Sequence, residues 1–285
     1  MSIGFIGLGN MGSGMVSNLL SKGFEVAVYD IQPQKAEALI AAGAVWRNSV
    51  AEVTEDADVI MTSLPGPKQL EAVMLGEVGA IASARPGTIW IDTGTNSIAI
   101  VEEISTHASD RGISVIVAPV SGGAAGAEAG TLSMFVGGER ETFDNIKGVL
   151  EAIGSQIYYV GPLAHAILTK LLINYLCFIN TKALGEVLSL GSEAGIDPKQ
   201  LTQMIQAGSG SSWVAEKLLP SILDGNPGPA FTLNLAYKDA CLIDELNQTF
   251  QTSLEFSARL RQVLQQTCTT DSGDRSFTRM MDLKA

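Results

Sequence analysis

Apolar and polar positions along the chain follow two regimes. Up to about residue 160, short runs rich in β-branched residues alternate with amphipathic stretches, the pattern of βαβ units around a parallel sheet. The runs predict strands at Ile3–Ile6, Glu25–Tyr29, Val59–Ser63, Ile89–Asp92, Ser114–Val117, Met134–Val136 and Ile157–Val160. Between them, helical periodicity predicts helices at Met11–Ser21, Gln34–Ala42, Lys68–Leu75, Ile98–Arg111 and Glu141–Ile153. Proline and glycine punctuate the boundaries, as at Leu64-Pro65-Gly66-Pro67 and Arg85-Pro86-Gly87. After Gly161-Pro162 the strand signal stops and long helical segments follow. The chain therefore divides into an α/β domain, residues 1–162, and an all-helical domain, residues 163–285. The first helical segment, about 164–191, is apolar almost all round. In a soluble protein that means a helix buried between other elements or across a subunit contact.

Composition narrows the function classes. With 285 residues and 46% hydrophobic content the chain has ample material for a core, which excludes a disordered protein and suits one large or two ordinary domains. A formal net charge of −12 leaves no basic stripe to neutralise phosphates, so nucleic acid is not an expected partner. Cys177, Cys241 and Cys268 are odd in number and widely spaced, and read as reduced thiols of a cytoplasmic protein. The N-terminus lacks the basic start and small-residue cleavage site of a secretory leader. The most apolar stretch, Ala164–Ile179, is short for a membrane span and carries Lys170, so no membrane partner is expected either.

Gly7-Leu8-Gly9-Asn10-Met11-Gly12 is a G-x-G-x-x-G loop between the first predicted strand and the first helix. In that setting the first glycine permits a tight turn, the second lets a pyrophosphate approach the backbone, and the third allows close helix–strand packing. Asp30 ends the second strand about 18 residues beyond Gly12, near the spacing of a ribose-binding acid. The bland alternative is a glycine turn with a solvated aspartate. A 2′-phosphate about 4 Å from Asp30 would meet repulsion of ~4 kcal/mol per charge pair at an effective dielectric near 20. Ile31 and Gln32 add no cation, so NAD is favoured over NADP, with Lys35 close enough to offset part of that preference. The candidate cofactor residues are Gly7 to Gly12, Asp30 and Ile31.

Further on, Pro119-Val120-Ser121-Gly122-Gly123 follows a predicted strand. Bare N–H groups and a hydroxyl at a strand's carboxyl end form a cradle for a substrate carboxylate, or else a plain crossover loop. Lys170 lies inside the apolar helix with Asn174 one turn on, on the same face. A lysine there either snorkels to solvent or serves a functional site as a proton carrier. The two histidines, His107 and His165, and the cysteines nowhere take metal-ligand spacing, so no metal is expected.

Four ordered motifs resemble the β-hydroxyacid dehydrogenase family: GFIGLGNMGSGM at the start, PVSGGAAGAEAGTLSMFVGG in the middle, Lys170-Leu-Leu-Ile-Asn174 in the helix, and Phe231-x-Leu233-x-x-x-x-Lys238-Asp239. The resemblance covers nearly the whole chain. It implies an α/β Rossmann-type doubly wound parallel sheet, then a long interdomain helix and an all-helical domain like the C-terminal part of 6-phosphogluconate dehydrogenase, usually in a homodimer or homotetramer. It implies Lys170 as catalytic acid/base, Asn174 holding the substrate, and Ser121, Gly122 and Gly123 binding the carboxylate of a small acid. Leu64 and Pro65 fall where the family covers the cofactor, Thr95 in its cofactor and substrate loop, and Lys238 near the nicotinamide. Trp213 and Phe231 match positions that shape the substrate pocket, with helix packing as the alternative for each. Gly94, Val117, Ala164-His165-Ala166 and Ile173 depart from the family pattern and bear on substrate choice. An imine-reducing relative is the runner-up, but such proteins usually replace the lysine by aspartate or tyrosine. A non-catalytic cofactor-binding module normally loses that lysine as well.

Overall fold

The β-branched runs of the first part become strands of one sheet, seen in a computed structural model that describes residues 1–226, 228 and 230–283. Two compact units divide at Lys170/Leu171. The strands end before residue 162, but the first turns of the following helix group with the sheet.

In the first unit the strands are β1 (Ser2–Ile6), β2 (Glu25–Tyr29), β3 (Val45–Trp46), β4 (Val59–Thr62), β5 (Ile89–Asp92), β6 (Ser114–Val117), β7 (Val120–Ser121), β8 (Leu132–Gly138) and β9 (Gly154–Gly161). Six run parallel in the order β3-β2-β1-β4-β5-β6, so the winding reverses between β1 and β4. Ligands of such sheets bind in the crevice at that reversal, beyond the carboxyl ends of the strands. The sheet is mostly rather than wholly parallel: β8 runs antiparallel to β6 and β7 and parallel to β9. Phe5, Met15, Val28, Met61, Ile91, Ile116, Val136 and Leu150 belong to its core.

The predicted strands and longer helices all form, with the helices Gly12–Ser21, Pro67–Leu75, Ile98–Asp110 and Arg140–Ile153 close to their expected bounds. The stretch expected as one helix over Gln34–Ala42 is a 3₁₀ turn, Pro33–Ala36, followed by a short helix, Glu37–Ala41. Proline at its start tightens the first turn. Helices Val50–Thr54, Ala80–Ser83 and Gly123–Ala129 were not legible from periodicity. None of them is long enough to show a repeat.

The second unit carries the helices Pro198–Ala207, Leu219–Leu223, Leu233–Thr249 and Ser257–Asp271, a π-type turn at Val214–Leu218 and a 3₁₀ turn at Phe277–Met281. Among its described residues no strand forms; Thr232 and Ser276 make one isolated antiparallel bridge. That bridge gives the tail its place. Leu233 N–H donates to Arg275 O (2.8 Å), Asn234 N–H to Gly273 O (2.9 Å) and Phe277 N–H to Phe231 O (2.9 Å). Leu184, Leu188, Val214, Ala215, Leu219 and Met281 form the local core.

The long helix Leu163–Glu193 has 31 residues and runs through the division between the units. By length and composition it would suffice to cross a membrane, which corrects the expectation that no segment is long enough. Leu171, Tyr175, Phe178, Leu184 and Leu188 are buried, while Leu172, Leu176, Val187 and Leu190 are exposed along it.

Candidate active site

The glycine loop leaves β1 at the winding reversal and turns at once into the helix Gly12–Ser21. Gly7 has φ +100°, and its N–H donates to Tyr29 O at 3.0 Å. No L side chain takes that backbone cheaply. A Cβ on Gly12 would overlap the Gly7 carbonyl oxygen, so the third glycine is a packing requirement. A Cβ on Gly9 would meet nothing within 4 Å. Protein atoms thus close around the first and third glycines and leave the second open, the arrangement that suits a pyrophosphate on the backbone.

Asp30 is tied to this loop directly. Its Oδ2 accepts the Leu8 N–H at 2.7 Å, its Oδ1 accepts the Gln32 N–H at 2.9 Å, and the Lys35 ammonium stands 3.8 Å from Oδ1. The carboxylate is buried, whereas Ile31 beside it is 83% exposed. Met11 packs against the core and Asn10 is exposed at the turn. Leu64 lies over the first glycine: a Cβ on Gly7 would come within 3.1 Å of Leu64 Cδ2. Pro65 follows it, exposed.

The loop after β5 is held by a buried carboxylate that sequence reasoning missed. Asp92 Oδ1 accepts the Thr62 hydroxyl (2.8 Å) and the Gly94 N–H (3.2 Å), and Oδ2 accepts the Asn96 amide (2.7 Å). Trp90 Nε1 in turn donates to Thr62 Oγ1 at 3.0 Å. Thr95 sits half-buried between Gly94 and Asn96. A Cβ on Gly94 would lie 2.9 Å from Asn96 Nδ2 and 3.4 Å from Leu64 O, so this loop abuts the one that carries Leu64. Ser121 ends β7 half-buried, and Gly122 and Gly123 follow exposed, with φ +128° and +64°.

In the second unit, Asn174 and Lys238 meet at Asp239. This carboxylate is wholly buried; Oδ2 accepts the Asn174 amide at 2.6 Å and Oδ1 stands 2.8 Å from the Lys238 ammonium. Burying a carboxylate is tolerable only with such partners. Asp239 closes the fourth sequence motif beside Lys238, but nothing in the sequence marked it as buried. Next to Asn174, burial pushes the Tyr175 phenol above its ordinary value, against a hydrogen bond with the Phe256 backbone. Phe231 belongs to an aromatic cluster with Phe178 and Phe277, ring centroids 5.6–6.0 Å apart. Trp213 is instead 57% exposed at the start of the π-type turn. Lys170 lies half-buried on the long helix, one turn before Asn174. No group of metal-ligating residues occurs among the described residues.

Comparison with known proteins places the chain among its relatives. Residues 2–161 match the NAD-binding domain of 6-phosphogluconate dehydrogenase, and residues 165–283 match the NAD-binding region of NADP-dependent 3-hydroxyisobutyrate dehydrogenase. The 2-(hydroxymethyl)glutarate dehydrogenase of Eubacterium barkeri is 35% identical over 93% of this chain and 88% of its own. The 3-hydroxyisobutyrate dehydrogenase of Pseudomonas aeruginosa is 33% identical over 91% of this chain and 89% of its own. The solved structure of Mycobacterium tuberculosis 3-hydroxyisobutyrate dehydrogenase with L-serine superposes with a TM-score of 0.88 at 28% identity, covering 99% and 98% of the two chains. An imine reductase from Streptomyces aurantiacus, at 19% identity and TM-score 0.66 over 99% of each chain, shares the fold alone. The chain, with a dinucleotide loop at the winding reversal of its sheet and relatives of this kind along almost its full length, belongs to the β-hydroxyacid dehydrogenase family of NAD(P)-dependent oxidoreductases.

Proposed function

We propose that the protein interconverts a small β-hydroxy acid and its semialdehyde or keto form, with NAD in preference to NADP and Lys170 as general acid/base. The observation that carries this is the Gly7–Gly12 loop, open over Gly9 and tied to Asp30 through Leu8, in a chain that keeps Lys170 one turn from Asn174. When bound, the nicotinamide supplies the hydride acceptor for oxidation and the donor for reduction. Lys170 Nζ takes the proton from the substrate hydroxyl as that carbon gives up its hydride, and returns it in the reverse direction. As an ammonium it offsets the negative charge that builds on oxygen during reduction. The Ser121 hydroxyl and the Gly122 and Gly123 N–H groups hold the carboxylate. One of the two Asn174 amide hydrogens goes to Asp239, which leaves its carbonyl and its second N–H for a substrate hydroxyl.

The NAD preference rests on charge. A 2′-phosphate at the ribose would stand near the buried Asp30 carboxylate, with Lys35 at 3.8 Å as its one recorded cationic partner among the described residues. The same reading has the protein acting in the cytoplasm on a small carboxylic acid, rather than on nucleic acid or a membrane, in keeping with the net charge of −12 and three free cysteines. It also has it as a homodimer or homotetramer, an arrangement that would cover Leu172, Leu176, Val187 and Leu190.

The test is NADH formation by purified protein with 3-hydroxyisobutyrate, glycerate, serine, threonate and, as an off-class control, 4-hydroxybutyrate, run beside Lys170→Ala. One acid should be turned over, with kcat falling about 10²–10⁴-fold in the variant while NADH still binds. Wild-type kcat in Lys170→Ala would remove the lysine from the chemistry. Silence with every acid despite bound NADH would favour the non-catalytic module.

A further inference from the structure

The segment after Ser121 raises a problem of stability. Helix Gly123–Ala129 has seven residues, begins at one glycine and contains another at Gly126. So short and glycine-rich a helix does not hold its shape alone, and its last carbonyls lack partners within it. Gly130, in the left-handed conformation at φ +66°, returns its N–H to Gly126 O, and Thr131 N–H reaches the same oxygen at 2.9 Å. The carbonyls of Ala127 and Glu128 are met from elsewhere. Asn18 Nδ2, on the helix Gly12–Ser21, shares its two hydrogens among Ala127 O at 2.7 Å, Glu128 O at 3.1 Å and Gly14 O of its own helix at 2.9 Å.

The approach is as close as backbones allow. A Cβ on Gly14 would lie 2.7 Å from the Ala127 carbonyl carbon and 2.8 Å from Glu128 N. One helix thus begins at the dinucleotide loop, at Gly12, and grips the far end of the segment that begins at Ser121–Gly123.

We propose that Asn18 is a positioning residue: its amide caps the Gly123–Ala129 helix from outside and thereby holds Ser121–Gly123 at a fixed place relative to the dinucleotide loop. The proposal rests on the reading of Ser121–Gly123 as the carboxylate cradle. Asn18 belongs to neither the cofactor loop nor the cradle, so its loss is felt in substrate binding while cofactor binding and the proton transfer step are spared.

The experiment combines deuterium exchange with kinetics on Asn18→Ala, using NADH and whichever acid of the panel above is turned over fastest. Exchange in peptides covering residues 121–131 should rise, with the Gly7–Gly12 peptide unchanged. KM for the acid should rise about tenfold, as a displaced binding loop does, with kcat and the NADH Kd within about twofold. Unchanged exchange in 121–131 overturns the cap, and raised exchange with wild-type KM overturns the positioning role. Ser121→Ala separates this from the cradle reading: a raised KM there with a normal KM in Asn18→Ala removes only Asn18. Normal KM in both removes the cradle, while exchange still decides the cap. Should Asn18→Ala not fold, the near-isosteric Asn18→Asp removes the donor and sets a carboxylate oxygen against Ala127 O and Glu128 O, and it is read in the same way.

Discussion

Two alanine substitutions in the dinucleotide loop should behave in opposite ways. In Gly12→Ala the new methyl overlaps the Gly7 carbonyl oxygen, which belongs to a buried turn already fixed by the Gly7–Tyr29 hydrogen bond. The helix start must move out, at an overpacking cost of ~1–3 kcal/mol. At this chain size each kcal/mol lowers Tm by roughly 2–4 °C. Gly9→Ala places its methyl in open space, and Gly9 has no positive φ, so the folded chain accepts it. Its stability should stay the same or rise by up to ~1 kcal/mol, because alanine restricts the unfolded chain. A methyl at Gly9 nevertheless occupies the place where a pyrophosphate would meet the backbone. Losing one charge-assisted hydrogen bond of ~1.5–3 kcal/mol should weaken NADH binding about 10- to 150-fold. Thermal melts without cofactor, paired with calorimetric titration of NADH, read the two quantities separately. NADH binding by Gly9→Ala with wild-type affinity would refute the placement of the pyrophosphate over the second glycine.

Other perturbations probe the remaining charges. Lys35→Ala removes a partly exposed partner of Asp30, so discrimination of NAD over NADP, measured as a ratio of kcat/KM values, should sharpen by up to about fivefold. A blunted ratio would mean that Lys35 does not serve the 2′ position. Asp239→Ala strips the buried carboxylate from Asn174 and Lys238 and should cost ~2–3 kcal/mol in urea unfolding, with Asp239→Asn milder. Equal stability of all three proteins would contradict the assignment of that cluster. Hydrogen bonds from Arg279 and Arg275 hold the Asp271 carboxyl below its ordinary 3.8. Its folded value is depressed, so its contribution is complete above the unfolded value and is lost as pH falls below about 3.8 towards the folded one. Asp271→Asn should flatten the acid limb of the stability profile, and an unchanged limb would show that other carboxylates set it.

The sequence made the nucleotide half legible because its signals are local and repeated: strand, glycine loop, helix and acid follow one another within 30 residues. What stayed hidden depends on contacts between distant positions. β3 has two residues, Val45 half exposed, and exists because β2 offers it an edge. The helix Gly123–Ala129 is too short to show a period or to stand alone, and holds because Gly14 and Asn18 accept it. Asp92 and Asp239 look like ordinary charged residues until burial shows that each organises the polar groups around it. Trp213 and Phe231 were equally ambiguous in sequence, and burial separates them, one exposed and one stacked among aromatic rings.

The packing around Gly94 bears on how such a site can change over generations. A serine there, frequent in the family pattern, would press its Cβ within 2.9 Å of the Asn96 amide and 3.2 Å of Asp92 Oδ1. The amide can make room only by re-aiming or lengthening its bond to Asp92. A serine at 94 is therefore accepted at less cost where residue 96 is smaller or apolar, and Asn96 is held best while residue 94 stays glycine. The two positions are coupled, so the effect of changing one on the pocket depends on which residue stands at the other.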